Sequence, residues 1–82
     1  MYKNKTEDGR CNICGVKIKQ IREKMPGKVS QRAFADRVNR FGVVIDKNAI
    51  QRIESGQRFV TDIELKAIAA ALDVSYEVLL ED

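Results

Sequence analysis

The chain has 82 residues, of which 44% are hydrophobic and 33% charged, enough for one small domain with a single core. No apolar run approaches the roughly 20 residues of a membrane helix, and the polar start "MYKNKTEDGR" is unlike a signal peptide, so we expect a cytoplasmic protein. Residues 1–60 hold 14 Lys/Arg and 6 Asp/Glu, a charge of +8, whereas residues 61–82 hold one Lys and six acids, a charge of −5. Such a basic body suggests a surface that meets a polyanion, although an ordinary solvated surface stays open on charge alone.

The first helical pattern begins after about twelve residues. We expect residues 1–12 to form a disordered arm and residues 13–82 to form the domain. Apolar residues then recur at helical spacing and predict a helix over 13–25, which Pro26 and Gly27 end. The stripe consists of Cys14, Ile18, Ile21 and Met25.

Cys11 and Cys14 form a single C-x-x-C motif. The stripe makes Cys14 a core residue and leaves Cys11 as an exposed or half-exposed thiol. A structural zinc site needs four ligands, and the chain has no histidine and no second cysteine pair. We therefore expect no metal and no cofactor, with a zinc ion shared between two chains as the alternative.

The later helix starts share one local pattern, in which an aliphatic residue precedes a capping residue and an apolar residue follows four positions after the cap. The instances are Val29-Ser30…Phe34, Ile45-Asp46…Ile50, Val60-Thr61…Leu65 and Val74-Ser75…Leu79. Stop signals at Gly42, Gly56 and Asp73 complete these helices. Their predicted ranges are 31–41, 47–55, 62–72 and 76–81. Because no window alternates like a strand, we expect an all-α domain of five helices.

The helix predicted over 47–55 has a polar face opposite its apolar one. At about 100° per residue, Ile50 and Ile53 share the inward side. The outer side carries Asn48, Gln51, Arg52 and Ser55. A solvated surface is one reading of this face, but Asn, Gln and Arg also make bidentate contacts with base edges in the major groove. The helix that precedes it starts with "SQR", as in a helix-turn-helix arrangement.

Glu54 lies within about 40° of Ile50 on this helix, so its carboxylate is drawn inward, where an unpaired charge is costly. Arg22 in the first helix is the partner that we predict. No histidine, second carboxylate or activated nucleophile accompanies Glu54, and we therefore expect no enzymatic activity.

Four stretches in this order together resemble the Xre/lambda-repressor helix-turn-helix family over about residues 13–81. They are "IKQIREK", "VSQRAFADRV", "IDKNAIQRIESGQR" and "ELKAIAAALDVSYEVLL". The resemblance implies a five-helix repressor-like DNA-binding domain whose helices two and three form the helix-turn-helix. It also implies a dimer on a near-palindromic operator.

The resemblance assigns roles to individual residues. Those implied to contact base edges are Lys47, Asn48, Gln51 and Arg52. Those implied to contact the DNA backbone are Gln31, Arg32, Ser55, Gln57 and Arg58. Gln31 would also brace the third helix, and the Arg22–Glu54 pair matches an ion pair of the family. This chain departs from the family in its expanded turn "NRFGVVI" and in the acid Asp46, which sits near phosphates.

The sequence thus predicts a sequence-specific regulator of transcription, a repressor, that binds double-stranded DNA and comes from a bacterium or phage. An arm of residues 1–12 that reaches into a minor groove is the alternative to a disordered arm. We expect a homodimer through the C-terminal helix, because Tyr76, Leu79 and Leu80 cannot all be buried in one small domain. The alternative is a protein-interaction or antitoxin-like module that keeps the fold without binding DNA.

Overall fold

A computed structural model of the chain describes residue 6 and residues 9–80. The described residues form five helices and no strand, which confirms the all-α prediction. The helices are α1 (Cys14–Lys24), α2 (Gln31–Asn39), α3 (Lys47–Ser55), α4 (Asp62–Leu72) and α5 (Tyr76–Leu80). Most of the arm predicted over 1–12, namely residues 1–5, 7 and 8, lies outside the described residues.

Side-chain caps start α2, α3 and α4. Ser30 accepts a hydrogen bond from the Ala33 amide at 3.0 Å, and Asp46 accepts one from the Ala49 amide at 2.8 Å. At the start of α4, Thr61 and Glu64 form a reciprocal capping box. These bonds satisfy amides of the first turn that have no partner within the helix.

The ends of α3 and α4 have left-handed residues at the predicted positions, Gly56 with φ 82° and Asp73 with φ 57°. After α3, the Gln57 amide donates to the Arg52 carbonyl at 2.8 Å. After α4, the Val74 amide donates to the Ala69 carbonyl at 3.0 Å. Both are the six-to-one bond of a Schellman motif, which closes the helix abruptly.

The prediction that the second helix runs to residue 41 is wrong by two residues, because α2 ends at Asn39. The amides of Phe41 and Gly42 donate to carbonyls three residues earlier, which tightens the chain into a turn. The Asn39 side chain then accepts a hydrogen bond from the Ile45 amide at 2.7 Å. This bond spans the expanded turn and fixes where α3 begins.

The core lies between the helices: α3 packs against α1 and α2, α4 packs against α2 and α1, and α5 closes one end against α1 and α4. Its largest fully buried side chains are Phe34, Ile18, Ile50, Ile53, Ile68, Leu79 and Val38. Leu79 is fully buried, but Val78 and Leu80 remain 37% and 45% exposed, because a single short helix buries only one side.

Within the described part of the chain, none of the helices combines the length and hydropathy needed to cross a membrane.

Candidate nucleic-acid interface

Helix α3 presents one face to the core and the other to solvent. Ile50 and Ile53 are 1% and 0% exposed, so the apolar face is fixed in the interior. The solvent face carries exposed Lys47, Asn48, Gln51, Arg52 and Ser55. The structure therefore brings together on one surface the side chains that the sequence assigned to base edges.

The buried edge of α3 is held by an ion pair between Arg22 and Glu54. The guanidinium donates through Nε to Oε2 at 2.7 Å and through Nη2 to Oε1 at 3.0 Å. The Arg22 and Glu54 side chains are 11% and 3% exposed, and Arg22 also donates to the Val29 carbonyl at 2.9 Å. The hydrogen bond to the carboxylate raises the pKa of Arg22. The partner chosen from sequence is thus the one that Glu54 has.

Gln31 connects α2 to this ion pair. Its amide nitrogen donates to Glu54 Oε1 at 2.9 Å, so the carboxylate is satisfied by both neighbouring helices. The side chain is half-buried. Its neighbour Arg32 is exposed at the same helix start. Glu54 therefore sets the position of α3 relative to both α1 and α2.

The turn after α3 carries the other side chains that the sequence assigned to the DNA backbone. Ser55 and Gln57 are exposed on either side of Gly56. The Ser55 hydroxyl donates to the Arg52 carbonyl at 3.2 Å, which is compatible with acceptance of a further bond from outside.

Arg58 is held within the protein by Glu64, which was not expected from sequence. Arg58 Nη2 donates to Glu64 Oε2 at 2.8 Å, and Nη1 donates to Oε1 at 3.0 Å. The guanidinium lowers the pKa of Glu64, and the carboxylate raises that of Arg58. Because the Arg58 side chain is still 30% exposed, this fork leaves part of the guanidinium open to solvent.

Residues 10–12 lie against the carboxyl end of α3, and sequence reasoning did not identify them as part of the site. Asn12 Nδ2 donates to the Ile53 carbonyl at 3.0 Å and to the Arg58 carbonyl at 2.7 Å. The Cys11 amide donates to the Gly56 carbonyl at 2.7 Å. Arg10 Nη2 donates to the Glu54 carbonyl at 3.0 Å. For this part of the predicted arm, the structure shows contacts with the domain.

The sequence contains one signal that could have identified Asn12, its position as a capping residue before the first helix. Its Oδ1 accepts a hydrogen bond from the Gly15 amide at 2.8 Å, the i to i+3 geometry of a helix cap, just before α1. The bonds from the same side chain to residues more than 40 positions away have no such local signal.

The two thiols are free and differ in burial. Cys14 is 3% exposed in the core, and burial raises the pKa of its thiol, whereas Cys11 is half-buried. Over the described ranges there is no group of three or more potential metal ligands.

Comparison with known families agrees with this geometry. A family model described as helix-turn-helix matches residues 18–79, most of the chain and all of α2, α3 and α4. Searches of the curated proteins and of the solved structures returned no match. The matched family is a DNA-binding, non-enzymatic one. The chain therefore belongs to the Xre/lambda-repressor-like helix-turn-helix family.

Proposed function

We propose that this protein is a sequence-specific regulator of transcription, a repressor in a bacterium or phage, that reads double-stranded DNA with α3 in the major groove. The observation that carries the proposal is the solvent face of α3. Its exposed amides and guanidinium belong to residue types that pair with adenine and guanine edges. The opposite face is fixed by Ile50, Ile53 and the Glu54 network.

The proposed division of labour follows the position of each side chain. Lys47, Asn48, Gln51 and Arg52 contact base edges. Gln31, Arg32, Ser55, Gln57 and Arg58 contact the sugar-phosphate backbone. Lys and Arg neutralise phosphates and release counterions, so affinity falls steeply with salt. Occupancy of the operator in the cytoplasm, where bacterial and phage DNA lies, would block transcription without any catalytic group or cofactor.

We propose further that the protein binds as a homodimer through the α4–α5 surface. Ile63, Tyr76 and Leu80 are 71%, 46% and 45% exposed and line a shallow depression of about 460 Å³. Leu65 lies beside them, and Asp62 and Lys66 supply opposite charges for a self-complementary contact. A two-fold axis here would set two copies of α3 about 34 Å apart, one turn of a near-palindromic operator.

The experiment that tests the proposal is selection of bound duplexes from a random pool at about 0.15 M salt. We expect an enriched motif with two-fold symmetry. Retention of duplexes without enrichment would show that the protein binds phosphates but that α3 does not read bases. A motif without symmetry would contradict the dimer alone.

The same α4–α5 surface favours a second candidate function, a protein-interaction or antitoxin-like module. It combines exposed apolar side chains with the acidic residues Asp62 and Glu77 in the part of the chain whose net charge is negative. Failure of the protein to retain any duplex at low salt would favour this candidate.

A further inference from the structure

The segment of residues 10–12 lies outside the family match, which begins at residue 18, but it contacts the end of α3 that carries the proposed backbone-binding turn. Asn12 bridges the two ends of this turn, since its amide donates both to Ile53 in the last turn of α3 and to Arg58 beyond it. Between these points, the Cys11 amide binds the Gly56 carbonyl. The segment thus follows the turn from one end to the other.

Arg10 and Cys11 supply donors to two carbonyls at the end of α3 that the helix leaves unpaired. The Schellman motif uses the carbonyls of Arg52 and Ile53 for the amides of Gln57 and Gly56. The Glu54 and Gly56 carbonyls are then bound by Arg10 and Cys11. Carbonyls in the last turn have no donor further along the helix, so without residues 10–12 these oxygens would turn to water and the turn would be free to open.

The Asn12 side chain is itself held in one orientation. Its Oδ1 accepts from the Gly15 amide at 2.8 Å, which directs its Nδ2 hydrogens toward α3. Arg10 Nε also donates to the Asn12 carbonyl at 3.3 Å. The donors are therefore ordered before any ligand arrives.

Two glycines allow the segment to approach this closely. A Cβ atom built at Gly15 would collide with the Ile53 carbonyl oxygen, and one built at Gly56 would lie 2.7 Å from Arg10 Cζ. Gly56 is also in the left-handed region, with φ 82°. Both positions thus require glycine for the contact between residues 10–15 and the end of α3.

We propose that Arg10 and Asn12 are positioning residues for DNA binding. They hold the turn of residues 55–58 in the conformation in which its side chains meet the DNA backbone. The free energy of binding is therefore not reduced by the entropy cost of ordering this turn. The inference rests on the proposed DNA-binding function of α3. It makes the segment 10–12 part of the DNA-binding unit.

The test uses two variants of the full chain that keep its net charge. In Asn12→Ser, the hydroxyl can still cap α1 through the Gly15 amide but is too short to bridge Ile53 and Arg58. In Arg10→Lys, the charge remains but the guanidinium fork is lost. Arg40→Lys is the matched control, because Arg40 is exposed in the α2–α3 turn.

The probe is a mixed-sequence duplex of about 30 base pairs, which measures backbone contacts without base reading. Binding is measured over a range of salt at a temperature where circular dichroism shows every variant to be folded. We expect Asn12→Ser to bind about five- to tenfold more weakly and Arg10→Lys about threefold more weakly, with Arg40→Lys unchanged. We also expect a salt slope shallower by about one for Asn12→Ser, since Arg58, whose carbonyl Asn12 binds, would lose its charged contact with a phosphate.

A second readout follows the turn directly. In amide NMR spectra without DNA, the signals of Ser55, Gly56 and Gln57 should shift and their hydrogen exchange should accelerate in Asn12→Ser, while α4 keeps its protection. Folded variants with wild-type affinity, salt slope and turn exchange would overturn the positioning role. A wild-type protein that binds no duplex at any salt would instead refute the DNA-binding function on which the inference rests.

Discussion

Arg58 and Glu64 form a two-bond fork across the turn between α3 and α4, with Nη2–Oε2 and Nη1–Oε1 distances of 2.8 and 3.0 Å. The same carboxylate accepts the Thr61 amide at 3.0 Å as part of the capping box. The Glu64 side chain thus both caps the start of α4 and binds Arg58, which lies in the turn after the proposed recognition helix.

This fork predicts a specific pH dependence of stability. The pKa of Glu64 is lowered from its ordinary value of 4.5 in the folded protein. The stability that the pair contributes is therefore complete above about pH 4.5 and is lost as pH falls through the lowered folded-state pKa. Glu64→Gln, which can keep the capping box, should cost at most about 1 kcal/mol at pH 7 because the pair is partly exposed.

Urea unfolding at pH 7, 4.5 and 3 checks this prediction. The stability difference between wild type and Glu64→Gln should shrink toward zero at the lowest pH. Parallel pH curves for the two proteins would show that the ion pair contributes nothing measurable.

The Arg22–Glu54 pair predicts a larger effect. Glu54→Ala leaves the guanidinium of Arg22 largely buried without its partner, at a cost of about 3–5 kcal/mol. That is comparable to the whole stability of a small domain, about 5 kcal/mol, so the variant should be largely unfolded. The double variant Arg22→Met with Glu54→Leu removes both charges and should recover most of the loss.

Urea unfolding monitored by circular dichroism measures both variants, with Glu77→Ala as an exposed-carboxylate control. If Glu54→Ala unfolds at the same urea concentration as wild type, the pair does not hold α3 in place.

The cap and the charge of Asp46 are expected to have separate effects, the cap on stability and the charge on DNA affinity. Asp46→Asn keeps an oxygen that accepts the Ala49 amide, and it removes a negative charge at the start of α3. DNA binding at low salt should tighten about two- to tenfold, with stability unchanged. Asp46→Ala should lose about 0.5–2 kcal/mol of stability through loss of the cap.

Titration of a labelled duplex at low and high salt, together with thermal unfolding, separates these two effects. Asp73→Asn is the control, because Asn also tolerates the left-handed conformation at the end of α4. Equal tightening by Asp73→Asn would mean that the total charge matters and the position of Asp46 does not.

Substitution of two neighbouring leucines in α5 is expected to affect different properties, stability at Leu79 and self-association at Leu80. Leu79 is fully buried, so Leu79→Ala should cost about 2–5 kcal/mol of stability. Leu80 is 45% exposed, so Leu80→Glu should leave stability within about 0.5 kcal/mol and prevent self-association. Sedimentation velocity with and without the selected duplex reports the association, and a Leu80→Glu protein that still dimerises on DNA would exclude this surface as the interface.

Removal of the Arg52 side chain is expected to reduce discrimination between bases. Arg52→Ala should weaken binding to the selected operator by about 1–3 kcal/mol and relax the preference at one base position. Arg40→Ala removes the same charge from an exposed position off the α3 face and should not change the preferred sequence. A repeated pool selection with each variant gives the result. An unchanged motif for Arg52→Ala would show that this side chain does not read bases.

The helices that could be predicted to the residue are those with strong signals at both ends. For α3, the cap Asp46 and the left-handed Gly56 gave both boundaries, and α4 has the box of Thr61 and Glu64 with Asp73 at its end. The end of α2 was missed because it depends on the Asn39 side chain, which binds the Ile45 amide across an expanded turn. The local sequence signals that mark the end of a helix do not include a side-chain hydrogen bond across the following turn.

In the candidate site too, features set by local sequence could be predicted and contacts between distant residues could not. Helical spacing was enough to place Arg52 outward and Glu54 inward, because both positions follow from one helix and its apolar face. The contacts of Arg10 and Asn12 depend on chain segments more than 40 residues apart brought together by the fold. Only a structure supplies them.

The contact between Arg10 and the Glu54 carbonyl also changes the electrostatics of α3. The aligned peptide dipoles of a helix place about half a negative elementary charge at its carboxyl end. A bare end at this point would repel the phosphates proposed to approach Ser55 and Gln57. With the Arg10 guanidinium bound there, a residue from the start of the chain offsets the negative pole of the proposed recognition helix, and the proposed phosphate contacts at this end meet less repulsion.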